Sequence, residues 1–259
     1  KCIILPNLIG NVPDWKAIRE AFPGVTLFED SADTITKNEC TDLSTTSFYA
    51  SHVITAGGIG GMVMFNEEEH LKRAIMFRDW GRIGDNIEEP SERFNHSVDG
   101  IPYDWKFLYG VAGYHLKACE MNAAFGLVQL DKLPGFLTTR RQMVERYLEN
   151  LKDCSYYILP DDSVKPNWLA IPLQCPDRLE LVNYLEDHHV QTRVTFAGNI
   201  TRHPAFREYL GDFQNADTIM KDGFLLGAHH GLTIEDVDRV CHLLKSFAEM
   251  KQQRGKYFH

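Results

Sequence analysis

The chain has no cysteine pair at metal-ligand or redox spacing. Its six cysteines, Cys2, Cys40, Cys119, Cys154, Cys175 and Cys241, are scattered, with no CxxC among them. This excludes a zinc ribbon and fits reduced thiols better than a disulfide framework. Eleven histidines are present, yet none forms HExxH or another spaced ligand set, so no metal is expected. Positive charge is also scarce. A net charge of −9 argues against nucleic acid or an anionic membrane as partner, while leaving room for a local site that holds one phosphate. No apolar run is long enough to span a bilayer, and no signal-peptide pattern opens the chain. A cytoplasmic globular protein is the expectation. No initiator methionine precedes Lys1, and an apolar strand begins at Cys2, so the chain reads as a fragment or, more plainly, as one with a trimmed tag or a poorly ordered start.

What is there is ordinary globular sequence, 259 residues with 44% hydrophobic content, enough for one large domain or two modest ones. Cys2–Leu5 reads as a strand, Trp15–Ala21 as a helix with Trp15, Ile18 and Phe22 on one face, and Val25–Phe28 as a second strand. That βαβ spacing predicts parallel strands in an α/β sheet. Ser44–Phe48 and Met62–Phe65 are further strands, and a helix runs from Asn66 to about Trp80. The stretch from Gly81 to Asp104 is polar and aperiodic, a long loop of the kind that is functional or mobile. Tyr103, Trp105, Phe107 and Tyr109 follow as an aromatic cluster that suits a substrate mouth, a core or an interface. Two helices are expected next, Glu120–Leu130 and about Phe136–Leu151, with a domain boundary near Asn150. Beyond it the order is an extended Trp168–Leu173, a helix Asp177–His188, an extended Val190–Phe196 and a loop. A last helix is opened by Thr233-Ile234-Glu235-Asp236. This is a small α+β domain.

The most informative stretch is Ser47-Phe48-Tyr49-Ala50-Ser51-His52-Val53-Ile54-Thr55, followed by Gly57-Gly58-Ile59-Gly60-Gly61 and a strand. A hydroxyl, an aromatic and one basic side chain before a glycine-rich turn suggest a cofactor floor, although the glycine run alone is a weak phosphate signal. A second candidate is Glu29-Asp30-Ser31-Ala32-Asp33, carboxylates at the C-terminal end of a parallel strand, where open α/β sheets bind ligands. On the motif alone an acidic turn or a helix cap is the better reading. A third is Ala123-Ala124-x-Gly126-Leu127-x-Gln129-Leu130, and a fourth Gln191-Thr192-Arg193-x-x-Phe196-Ala197-Gly198-Asn199-Ile200 with His203-Pro204-Ala205.

Together these motifs resemble the DegT/DnrJ/EryC1/StrS family of sugar aminotransferases and dehydratases. The fourth resembles its branch of nucleotide-sugar 3-dehydratases. The resemblance implies an α/β fold of the aspartate aminotransferase-like, pyridoxal-phosphate-dependent kind (fold type I). Residues 1–150 would be the C-terminal part of the cofactor-binding large domain, and 151–259 the small C-terminal domain. It implies pyridoxal 5'-phosphate or pyridoxamine 5'-phosphate as cofactor, a nucleotide-linked sugar as substrate and a homodimer. Asp30 would pair with the protonated ring nitrogen and sustain its electron withdrawal. Asp33 would lie near the ring hydroxyl, and Ser47 would hold the phosphate. Where ordinary members carry the lysine that links the cofactor, this chain has His52, which cannot form that stable link but can take a proton near neutral pH. His52 is therefore the expected base of a 3-dehydration of a 4-keto-6-deoxy-hexose, with Arg193 and Asn199 on the substrate side. Arg193 as a structural ion pair and Asn199 as a turn former are the plainer readings.

The departures from the family pattern carry expectations too. Trp80-Gly81-Arg82 is present, but no cysteine lies between Cys40 and Cys119, so the iron–sulfur cluster of some members is not expected. Gly113-Tyr114-His115 stands where members usually have Gly-Tyr-Asn, so the resemblance implies either a weaker hold on the cofactor phosphate or His115 as its donor across a dimer. The family's N-terminal region has no counterpart. Two alternatives stay open: a sugar aminotransferase, although no lysine lies in the motif and the nearest are Lys37 and Lys72, or a truncated, non-catalytic relic of the fold.

Overall fold

The computed structural model describes residues 1–84 and 87–257. They form two compact units, one made of Lys1–Pro6 with Pro13–Leu130, the other of Asn7–Val12 with the chain from Asp131 onward.

In the first unit β1 (Cys2–Pro6), α1 (Trp15–Ala21), β2 (Thr26–Asp30), β3 (Leu43–Ser47) and β4 (Gly61–Phe65) build a four-stranded sheet in the order β1-β2-β3-β4. The first three strands are parallel, as the βαβ spacing predicts, and β4 returns antiparallel to β3. Asp14 caps α1 by accepting from Ala17 N at 3.0 Å. Trp15 is fully buried beneath it, whereas Phe22 does not share that face and is exposed. Pro23-Gly24 ends the helix before Phe22 can turn inward.

The helix expected from Asn66 is α2 (Glu68–Arg78), its first turn acidic as the helix dipole favours. The Gly81–Asp104 stretch is not wholly irregular. It contains a short helix, α3 (Pro90–Arg93), and a two-residue ribbon of β5 (Ser97–Val98) with β6 (Ile101–Pro102); Asp85 and Asn86 lie outside the described residues. Tyr103, Phe107 and Tyr109 are exposed, so the aromatic cluster is not core within this chain.

The two helices expected between Glu120 and Leu151 are one, α4 (Glu120–Leu151), with Pro134 inside it. Pro134-Gly135 looks like a break because proline removes a donor and clashes one turn back, at about 3 kcal/mol. The helix continues regardless, and Thr138 and Thr139 hydroxyls donate to the Pro134 and Gly135 carbonyls.

The second unit has β7 (Ala170–Gln174), α5 (Arg178–Asp187), β8 (Arg193–Val194), α6 (Gln214–Asp222), β9 (Gly223–Gly227) and α7 (Ile234–Tyr257). Its sheet runs β7-β9-β8, all antiparallel. The central strand is β9, which the sequence pattern placed in a loop. Its Phe224, Leu225 and Leu226 are a three-residue apolar run between glycines, too short to show a period. Conversely, the extended Val190–Phe196 forms only two ladder residues, Arg193 opposite Leu225 and Val194 opposite Phe224. Met143, Val144, Tyr147 and Leu151 of α4 pack with Leu181 and Leu185 of α5. Val237, Leu244 and Phe247 of α7 complete one core around β9. The start of α7 is a reciprocal cap, with Thr233 N donating to Asp236 at 2.9 Å and Asp236 N to Thr233 Oγ1 at 3.2 Å. Ile9, early in the chain, joins this core, and Leu169 N donates to its carbonyl at 2.7 Å.

Candidate active site

The ends of β2 and β3 set the site. Side chains alternate across a strand, and Asp30 lies opposite Thr45 in the parallel ladder. Asp30 and Ser47 therefore share one face of the sheet, partly open, while Glu29, Ser44 and Thr46 are buried on the other. Asp30 Oδ1 accepts from Ala32 N at 3.1 Å, and Oδ2 is left free to meet a ligand cation. Ser47 Oγ accepts from Tyr49 N at 3.2 Å, which leaves its own hydrogen to donate.

The buried face holds Glu29, which the acidic motif includes without a role of its own. Glu29 is 0% exposed, and its carboxylate accepts from Asn38 N at 2.7 Å and from the hydroxyls of Thr36 at 3.0 Å and Thr41 at 3.3 Å. Ser31 and Thr46 extend the network, the Thr46 hydroxyl lying 2.9 Å from the Thr34 carbonyl and 3.1 Å from the Ser31 carbonyl, and the Ser31 hydroxyl 3.2 Å from that of Ser44. A buried carboxylate is tolerated only when it is bonded this fully. Glu29 thereby fixes the turn that carries Asp30 and Asp33. The signal available was its place in strand alternation, one residue before Asp30 and so on the inward face.

After Ser47 the chain loops through His52. Val53 and Ile54 are buried and anchor the loop, and His52 N donates to Tyr49 O at 3.0 Å. His52 Nε2 lies 3.6 Å from Asp33 Oδ1, both side chains largely buried. That is ion-pair distance, longer than a hydrogen bond. His52 Nδ1 is buried and has no hydrogen-bond partner among the described residues. The ring also meets Tyr49 edge-on, 6.1 Å between centroids.

The glycine run is a turn. Gly57 and Gly58 both have positive φ and connect Ala56 to Ile59, which bridge each other antiparallel. The first turns of α4 close over it. Asn122 Nδ2 donates to Ala56 O at 2.6 Å, a Cβ on Gly57 would stand 2.9 Å from that same nitrogen, and Gly126 leaves room for Ala56. Asn122 was not singled out in the sequence, because its contact spans 66 residues.

The other expected residues lie elsewhere. His115 is stacked on Trp80, with 4.4 Å between centroids and an interplanar angle of 11°, and it pairs with Asp79 through the backbone. Within the described residues it does not reach Asp30, Ser47 or His52. In the second unit Arg193 sits exposed on β8, donating to Thr192 O at 2.7 Å. Asn199 is buried, its oxygen accepting from Thr201 N at 3.1 Å and its nitrogen donating to Asp217 at 2.8 Å. Asn199 thus caps a short 3-10 turn, Ile200–Arg202, as the plainer reading had it.

Comparison with known proteins accounts for this arrangement. The chain is 33% identical over 277 residues to the lipopolysaccharide biosynthesis protein RfbH of Salmonella typhimurium, covering 95% of this chain and 62% of that one. It is 34% identical over 225 residues to the dTDP-4-dehydro-2,6-dideoxy-D-glucose 3-dehydratase of Saccharopolyspora spinosa, covering 80% and 48%. The chain thus spans about half to three-fifths of the length of these relatives. Among solved structures it matches E. coli GDP-4-keto-6-deoxy-D-mannose-3-dehydratase with bound hydrated PLP. The TM-score is 0.81 at 23% identity, over 94% of this chain and 67% of that one. It also matches DesV of S. venezuelae, with TM-score 0.80 at 20% identity over 96% and 65%. The fold is accordingly that of the pyridoxal-phosphate-dependent, aspartate aminotransferase-like enzymes. With the family pattern matched across residues 1–245, the chain belongs to the DegT/DnrJ/EryC1/StrS aminotransferase family.

Proposed function

We propose that this chain carries the catalytic floor of a pyridoxamine-phosphate-dependent enzyme that removes the C3 hydroxyl from a nucleotide-linked 4-keto-6-deoxy-hexose. The observation that carries it is His52, beside Asp33 and with a buried ring nitrogen that has no hydrogen-bond partner among the described residues. Relatives named as 3-dehydratases support the reading. The residues present fit the cofactor. Asp30 Oδ2 is open toward a cationic ring nitrogen, Ser47 retains a hydroxyl hydrogen for a phosphate, and no lysine competes in the loop. When bound, pyridoxamine phosphate supplies an amine that condenses with the sugar ketone and a ring that accepts the electrons released next to it.

The protein's own part is proton handling. Asp33 favours the tautomer with its proton on Nε2, which leaves the lone pair on Nδ1. Taking up a proton there gives an imidazolium whose charge Asp33 balances. The same proton then serves the departing hydroxyl. Burial of Nδ1 keeps water from that lone pair. Lys37 and Lys72 offer no substitute for a linking amine, since Lys72 is an exposed partner of Glu68 and Lys37 reaches only Asn38 O.

The test is to incubate the protein with pyridoxal phosphate and with pyridoxamine phosphate, follow absorption, and attempt borohydride trapping. Non-covalent binding of pyridoxamine phosphate without a lysine adduct is expected. A trapped lysine would sink the dehydratase reading in favour of an aminotransferase, and binding of neither cofactor would leave a non-catalytic member of the fold.

A further inference from the structure

Helix α4 carries three arginines within seven residues, and two are saturated by carboxylates. Arg141 holds Asp162 through both terminal nitrogens and Glu145 through Nε, and Arg146 holds Asp238 and Glu149. Arg140 has no such partner. It is 4% exposed, its Nη1 donates to Leu169 O at 3.0 Å, and its Nε is buried without an acceptor. Among the described residues no carboxylate lies within ion-pair distance of it. Burial brings its pKa down to about 10, which leaves it charged at neutral pH. An uncompensated buried cation is unfavourable.

Two histidines stand beside it. Phe136, one turn earlier on α4, stacks on the His230 ring at 3.6 Å between centroids and 9° between planes. His229 Nδ1 accepts from Gly231 N at 3.2 Å, so the proton of its neutral ring lies on Nε2 as an available donor. Both histidines are exposed and open the cluster to solvent. Both have lowered pKa values, from burial first and then from the charge of Arg140. The loop that carries them, from Ala228 to Thr233, joins β9 to α7. With Nη1 held by Leu169, the edge formed by Nε and Nη2 is the part of the guanidinium left to receive a ligand, and it matches two oxygens of one planar or tetrahedral anion.

We propose that Arg140, His229 and His230 form a binding site for a small oxyanion of the phosphate or carboxylate class. The arginine supplies the permanent charge and a two-pronged edge, and the histidines supply donors at the mouth.

The chain is titrated with inorganic phosphate and, separately, with glutarate, while NMR follows the Arg140 Nε–H and the His229 and His230 ring signals. A saturable shift at about 1 mM or tighter for either probe is expected. A preference for phosphate or for glutarate assigns the oxyanion to one class or the other. Arg140→Lys keeps the charge but not the fork and should weaken binding at least about tenfold. Should that variant fold poorly, His229→Gln with His230→Gln leaves the buried arginine in place and should weaken binding severalfold. No saturable shift with either probe, or affinities unchanged in the variants that fold, overturns the proposal.

Discussion

Asp33 Oδ1 and His52 Nε2 face each other at 3.6 Å across the mouth of two parallel strands, held there by different loops. Asp33 follows the turn that Glu29 ties down, and His52 sits in the loop that Asn122 pins at Ala56. Neither residue is regular secondary structure, so their meeting depends on the packing beneath them.

If Asp33 orients His52 and balances its charge, Asp33→Asn should slow turnover about 10- to 100-fold. Asp33→Glu should recover part of the rate. Steady-state kinetics of the two variants check this. An Asn variant with unchanged turnover would reduce Asp33 to a packing role.

Glu29 is predicted to matter for stability before activity. Glu29→Gln places an amide where Asn38 N and two hydroxyls now donate, at a cost of about 2–3 kcal/mol. Urea denaturation of the variant should show that loss.

Gly57→Ala should destabilise by about 1–3 kcal/mol, since φ is +73° and the new methyl meets Asn122. Adding Asn122→Ala relieves the clash and not the φ, so the double variant should be more stable than the sum of the two single losses predicts. Comparison of the four denaturation midpoints decides it.

Asp217 has its pKa held down to about 2, by the hydrogen bonds from Arg202 first and from Asn199 next. A depressed carboxylate contributes stability above its unfolded pKa, about 4, and loses it as pH falls toward 2. Asp217→Asn should therefore melt below the parent above pH about 4, with the two curves converging near pH 2.

Cysteine reactivity should divide by burial. Cys175 and Cys241 are buried, and burial pushes both thiols up to about 12, while Cys2 and Cys119 are exposed. Iodoacetamide at neutral pH should label Cys2 and Cys119 in minutes and leave Cys175 and Cys241 until the protein unfolds, as peptide mass mapping would show.

Local pattern alone determined much of this protein. Alternation along β2 and β3 places Asp30 and Ser47 on one face, helical spacing identifies the buried stripes of α4 and α7, and the ordered motifs point to the family. These are short-range consequences of strand and helix geometry. The tertiary structure alone decided the rest. It made β9 the centre of its sheet, carried α4 through Pro134, stacked His115 on Trp80, and turned Asn199 inward as a cap. It also brought Asp33 to His52 and left Arg140 buried without a counter-ion. Each of these depends on which distant residues share a space, and packing energy outweighs the local preference of any one segment.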